Sequence, residues 1–197
     1  MFEAGGHVSH AYFPVSGMAS LLSVTPDGRS VEVAVVGCEG MVGLPAILGE
    51  GNSPYQAMAQ LPSEAVQVSA RALRSEFERG GRLKELLLGH ALTLLTQVTQ
   101  SAACHRFHTL EQRLARWLLT TRGHAGADRF RLTQEFLSYM LGVPRTSVTA
   151  LAVSMQREGL IGYSRGGITI LDARRLEAAS CECYRVVTRQ IERQLAA

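Results

Sequence analysis

Between residues 10 and 69 the chain runs in short stretches rich in Val, Leu, Tyr and Met. Turn residues interrupt them at close intervals, the rhythm of β-strands rather than of helices. Residues 20–36 carry it most clearly: LLSVT and SVEVAVV flank Pro26-Asp27-Gly28-Arg29, where Pro and Gly suit a hairpin turn. Val31, Val33 and Val35 alternate with Glu32 and Ala34, which predicts a strand with one buried face. Glycines 37, 40, 43, 49 and 51 then mark the sharp corners of a small barrel or sandwich.

After Ser69 the period becomes helical. Ser69 caps a short helix ending near Gly80-Gly81, and a long apolar stretch follows over residues 82–104. There Leu83, Leu86, Leu87, Leu88, Leu92, Leu94, Leu95 and Val98 occupy more than one helical face, so a cover on one side is insufficient. Leu87 and Leu94, with His90-Ala91 between them, sit near heptad spacing. That favours a second copy of the same helix as the additional cover, over a central position within a monomer. Thr109-Leu110-Glu111-Gln112 has the form of a capping box, which starts another helix running to about Thr121. Residues 104–109 read as a hinge and residues 123–128 as a loop.

Residues 132–161, LTQEFLSYMLGVPRTSVTALAVSMQREGLI, hold the functional signal. Thr133 caps a short helix ending at Gly142, and Val143-Pro144 opens a second helix with Pro at its first position, closed by Gly159. Two short helices joined by a tight glycine turn form a helix-turn-helix. At about 100° per residue, Val148, Leu151, Ala152 and Met155 of the second helix gather on one side. Thr146, Thr149, Ala150, Val153 and Arg157 face the other way, a short polar surface that a major groove can admit. Arg145 and Thr146 stand in the first turn, from which a recognition helix reaches base edges, while Ser147 and Thr149 can bond phosphates. Two predicted strands, 161–164 and 168–171, form a wing around Arg165-Gly166-Gly167, with Arg165 a phosphate contact or a solvated turn residue. Asp172 then caps a last helix with an apolar stripe of Leu176, Ala179, Cys183, Val187 and Ile191.

Charge sharpens the division into modules. Residues 1–103 carry 6 Lys+Arg against 9 Asp+Glu, whereas residues 104–197 carry 14 against 8, so the basic half is the one built to face a polyanion. At 197 residues, 46% hydrophobic and 19% charged, the chain is a folded protein rather than a disordered one. It has no uncharged run long enough to span a membrane and no secretory leader, which predicts a cytoplasmic protein.

In the order of these parts the chain resembles the Crp/Fnr family of bacterial transcription regulators. EAGGHVSHAYFPVSGMASLLSVTPDGRSVEV is similar to the family's sensory β-roll, and GCEGMVGLPAIL to its glycine-rich pocket region. A long dimer helix and a winged helix-turn-helix follow. The resemblance covers nearly the whole chain and implies an α+β fold in three parts. Residues 1–81 would form an antiparallel β-roll like that of cyclic-nucleotide-binding domains, abbreviated at its start. Residues 82–108 would form the dimerisation helix and hinge, and residues 109–197 the winged helix-turn-helix. It further implies a homodimer, an inverted-repeat operator in double-stranded DNA, and contact with RNA polymerase. Arg145 matches the family's recognition-helix arginine and Thr146 the next base-facing position, where the best-known relatives carry Glu. Ala150 replaces a second Arg, so the preferred operator should differ from that of the cyclic-AMP receptor protein.

The expected effector chemistry also departs from the family. Cyclic-nucleotide relatives place a Gly-Glu pair on the ribose and an Arg-Ser/Thr pair on the phosphate. The corresponding stretches here read Met41-Val42-Gly43-Leu44 and Ser53-Pro54-Tyr55-Gln56, and no Arg or Lys occurs between Arg29 and Arg71. A buried phosphate without a cation is costly, so cyclic AMP is not expected to bind in the family's usual manner, and the effector is left open. No metal or cofactor is expected either. Cys104 and His108 lie four apart, but the helix breaks beside them and no further ligand stands nearby. Cys181 and Cys183, placed on one helix, would diverge by about 200°. The six histidines form no catalytic arrangement and no phosphate loop is present, so an enzyme is not expected. The rival from another class is a ligand-binding or protein-interaction module that never touches DNA.

Overall fold

The structure is a computed structural model and describes residues 1–49, 51–164 and 167–196. Strands β1 (His10–Pro14), β2 (Ala19–Val24), β3 (Ser30–Val36), β4 (Gln56–Ala59) and β5 (Ala65–Ser69) form two antiparallel sheets, one pairing β1 with β5 and one ordered β3-β2-β4. The 26–29 turn closes the β2–β3 hairpin through the Thr25 N–H to the Arg29 carbonyl at 2.9 Å. A bulge between Leu21 and Leu22 shifts its register. Helix α1 (Ala70–Arg79) begins at Ser69, whose hydroxyl accepts the Ala72 N–H. It leads into α2 (Arg82–Phe107) and α3 (Leu110–Ala125), the latter opened by the complete Thr109–Gln112 capping box. The remaining elements are β6 (Arg129–Arg131), α4 (Gln134–Leu141), α5 (Arg145–Arg157), β7 (Ile161–Ser164), β8 (Gly167–Ile170), α6 (Ala173–Ala179) and α7 (Cys183–Ala196). The fold is α+β, as expected, and no helix among the described residues is long and apolar enough to cross a membrane.

Four local expectations need correction. Helix α2 continues to Phe107, so the hinge contracts to His108 and Thr109, with His108 already extended at φ −106 and ψ 148. Helix α3 runs on to Ala125 and stops at Gly126 in the left-handed region. The last helix is two helices. Ser180, at φ −81 and ψ 167, ends α6, and α7 restarts at Cys183. Finally, the Leu87, His90 and Leu94 row faces this chain's own β-roll, where the leucines pack with Leu21, Val36 and Met41. The outward row is Leu88, Leu92 and Leu95, at 46%, 56% and 63% exposure.

The alternation in β3 is likewise only half of its burial. Val35 is buried, but so are Glu32 and Ala34: Ala34 faces the β-roll's own core, whereas Glu32 and Val35 lie against the C-terminal half. The larger apolar core contains Trp117, Leu118, Leu137, Val148, Met155 and Ile168 from the C-terminal half. It also contains Met18, Leu22, Val35 and Leu61 from the β-roll, so it crosses the boundary between the modules.

β3 is an edge strand, and its outer backbone groups would be orphaned under α2 without partners. Gln97 supplies them. Its side-chain oxygen accepts the Val35 N–H and its amide donates to the Val35 carbonyl, both at 3.0 Å, while the Ser101 hydroxyl donates to the Val33 carbonyl at 2.9 Å. Nearer the start of α2, His90 is wedged beside the Met41 backbone, and a Cβ at position 40 would overlap its ring, which is why glycine stands there.

Replacing Gln97 by Leu leaves the Val35 N–H and carbonyl buried and unpaired. The expected loss is about 2 to 4 kcal/mol of unfolding free energy, measured by urea denaturation at fixed protein concentration.

Candidate nucleic-acid interface

The helix-turn-helix is set by three local devices. Thr133 starts α4 by accepting the Phe136 N–H at 3.1 Å. Gly142 ends it at φ 63, a left-handed conformation that favours glycine. The Val143 N–H then bonds the Ser138 carbonyl, and Pro144 follows as the N-cap of α5 rather than as its first helical residue. Val148, Ala152 and Met155 anchor α5 in the core. The wing is the sheet β6-β8-β7, in which Ile161 pairs with Ile170 and Ser164 with Gly167.

Arg145 and Thr146 are exposed in the first turn of α5, and Ala150 and Val153 continue the same open face. Ser147 is half-buried. Thr149 is engaged internally: its hydroxyl faces the Gln134 side-chain oxygen at 2.7 Å and the Arg145 carbonyl at 3.0 Å. A single hydroxyl proton directed to either acceptor is not directed to a phosphate. Thr133 uses an oxygen lone pair in its cap and keeps its proton available. Arg165 lies outside the described residues.

Two further cations escaped the sequence reading. Arg129 and Arg131 are exposed on either side of buried Phe130, and the β6–β8 register sets Arg131 opposite Gly167, beside the wing turn. The alternation in Arg-Phe-Arg was the available signal: a strand with one apolar inward residue turns both neighbours outward.

The helix-turn-helix rests on the β-roll. Helix α4 packs along β3, and a Cβ built on Gly142 would lie 3.3 Å from the Val31 side chain. Beside this contact an open cleft of about 780 Å³ separates Thr25, Asp27 and Arg29 of the hairpin from Tyr139 and Pro144. Beyond the other end of β3, Glu39 and His124 join the two halves by an ion pair at 3.3 Å. Burial alone would lower the His124 pKa, but the hydrogen bond and charge of Glu39 outweigh it and hold the imidazole above its ordinary value.

Glu32 is the electrostatic strain in this junction. It is 8% exposed, with the Ser20 hydroxyl 2.6 Å from its carboxylate. Burial pushes its pKa from 4.5 up to about 7, against the Ser20 bond and the positive charges of Arg116 and His124 on α3.

An antiparallel β-roll joined by a long helix to a winged helix-turn-helix is the architecture of a DNA-binding transcription regulator. Comparison with known proteins agrees. Residues 1–79 match the model of the cyclic nucleotide-binding domain, and residues 112–179 that of the Crp-like helix-turn-helix domain. A "CRP-like cAMP-activated global transcriptional regulator" of Mycobacterium tuberculosis is 26% identical over 183 residues, covering 89% of this chain and 82% of the relative. Among solved structures, FixK2 of Bradyrhizobium japonicum superposes with a TM-score of 0.76 at 18% identity, over 92% of each chain. A CRP-family transcriptional regulator of Thermus thermophilus gives 0.75 at 21%, over 91% of this chain and 92% of its own. The chain belongs to the Crp/Fnr family of transcription regulators.

For a carboxyl with a raised folded pKa, the neutral form favours folding. That contribution is fully present below the unfolded value near 4.5 and is lost as pH rises through about 7. Unfolding free energy should therefore fall between pH 5 and pH 8 by an amount on the order of 3 kcal/mol from this group. Glu32→Gln should abolish that component, as read from denaturation curves across the range.

Proposed function

We propose that the chain acts as a homodimer that reads an inverted-repeat operator through α5. The observation that carries this reading is the exposure of Arg145 and Thr146 at the start of a helix whose opposite side is locked in the core. Arg145 would bond guanine O6 and N7, Thr146 a neighbouring base edge, and Ala150 and Val153 thymine methyls. Thr133, Ser147, Arg131 and the wing residue Arg165 would contact phosphates. Thr149 acts from behind, bracing α5 against Gln134 of α4.

The pairing surface is the outward row of α2. Leu88, Leu92, Leu95 and Thr99 recur at spacings of 4, 3 and 4 residues, a narrow stripe that a second copy of the helix can cover. A two-fold axis along it would set the two recognition helices about 34 Å apart, in successive major grooves. RNA polymerase is the expected partner of the bound dimer, in line with the family.

Cyclic AMP is not the expected signal, although the mycobacterial relative is described as cAMP-activated. The Ser53 hydroxyl donates to the Tyr55 carbonyl at 2.6 Å, where relatives would hold a phosphate. Arg74 from α1 approaches the glycine-rich segment, but its guanidinium donates to the Ala46 and Gly49 carbonyls and so serves as a strut.

Electrophoretic retardation with an operator selected from genomic fragments tests the reading. Arg145→Ala should lose about 10- to 100-fold in affinity for that site while keeping salt-dependent binding to random duplex, and added cyclic AMP should change neither. Equal affinities of the variant and the parent for the selected site would overturn it. Separately, Leu92→Glu with Leu95→Glu should convert the dimer to monomer in sedimentation equilibrium and weaken operator binding.

A further inference from the structure

Four chemistry-bearing side chains that the DNA-binding reading does not use meet at one point. Cys104 and His108 stand one turn apart at the end of α2, and Cys181 and Cys183 come from the break between α6 and α7. The helix break at Ser180 is what undoes the divergence expected of Cys181 and Cys183. With Cys181 outside α7, both thiols turn to the same side. The ligand atoms of all four residues lie within 4.8 Å of one another.

We propose that Cys104, His108, Cys181 and Cys183 form a mononuclear site for a zinc-class divalent ion. Two of the six ligand–ligand edges are close to the length a tetrahedral ion requires. Tetrahedral zinc, with bonds of about 2.3 Å to sulfur and 2.0 Å to nitrogen, requires ligand–ligand edges of about 3.5 to 3.8 Å. The Cys104 and Cys181 sulfurs are 3.5 Å apart, and the Cys183 sulfur is 3.6 Å from His108 Nδ1. A polynuclear iron–sulfur cluster is ligated on separate irons and needs its thiolates spread farther than this.

The surroundings belong to a metal site as well. His108 Nε2 lies 3.2 Å from a Glu182 carboxylate oxygen, the partner that fixes a ligating imidazole with its other nitrogen aimed inward. The three thiols are buried and pack on one another rather than joining either large apolar core. Three thiolates and a neutral imidazole around a divalent ion carry one net negative charge, and Arg113 and Arg116 of α3 act electrostatically on Cys104. Four protein ligands leave no open coordination position, so the site is a fastening rather than a catalytic centre. It ties the end of α2 and the His108–Thr109 hinge to the α6–α7 junction, holding α7 along α2. There Gln190 of α7 donates to Thr93 and Gln194 to the Glu39 carbonyl.

The test uses the full chain without a histidine tag, purified anaerobically. Elemental analysis should find one zinc per chain. After chelation, cobalt(II) titration should give the intense visible bands of a tetrahedral ion with a near-ultraviolet thiolate-to-cobalt band, saturating at one equivalent and displaced by zinc. Cys181→Ser and Cys183→Ser should lose this spectrum, whereas Cys38→Ser, which changes an exposed cysteine outside the cluster, should keep it. The chelated protein should melt several degrees below the zinc form. Absence of both retained zinc and a thiolate–cobalt band in the parent chain overturns the site, as does a Cys104–Cys181 disulfide in the anaerobically isolated protein. If the serine variants fail to fold, the parent spectrum and the Cys38→Ser control decide alone. None of these readouts involves DNA, so the site and the operator reading fail independently.

Discussion

An edge strand in the middle of a protein is a problem of unpaired backbone, and this molecule is organised around solving it for β3. Water cannot satisfy groups that lie under α2, so a side chain must. Gln97 reaches both the N–H and the carbonyl of Val35, and Ser101 takes the next carbonyl. That fixes the rotation of α2 about its own axis. Once Gln97, His90 and Leu94 face the β-roll, Leu88, Leu92 and Leu95 must face away from it. The exposed row on which pairing of α2 is proposed is thus a geometric consequence of how one strand edge is sealed.

Elements with local punctuation were legible in the sequence. Ser69, the Thr109 capping box, Gly142 and Asp172 all mark helix ends, because the bonds that define a cap lie within three or four residues. Features decided by distant residues were not legible. Nothing within the leucine-rich stretch says whether Leu87 or Leu88 faces a partner, since the choice rests on Gln97 meeting a strand 62 residues earlier. The face of β3 that carries Glu32 looked solvated because polar residues usually are, and α3 and α4 then covered it.

The candidate site divides in the same way. Arg145 and Thr146 could be placed from the position of Pro144 alone. The internal engagement of Thr149 could not, because it depends on how α4 crosses α5. The cysteine–histidine cluster shows the limit most sharply. Cys104 and Cys181 are 77 residues apart, with the winged helix between them, and the divergence expected of Cys181 and Cys183 held only if the helix carrying them was continuous. One residue in an extended conformation, Ser180, reverses the conclusion.

The shared core also bears on how such regulators can be recombined. Met18, Leu22, Val35 and Leu61 are structural members of the C-terminal half's core, and Val31 sits against the glycine turn between α4 and α5. A chimera that grafts a different winged helix onto this β-roll at the hinge would inherit mismatched surfaces on two sides of β3. If α5 reads the operator as proposed, its preference is therefore easier to exchange through the few side chains on the open face of α5 than through transplantation of the whole domain.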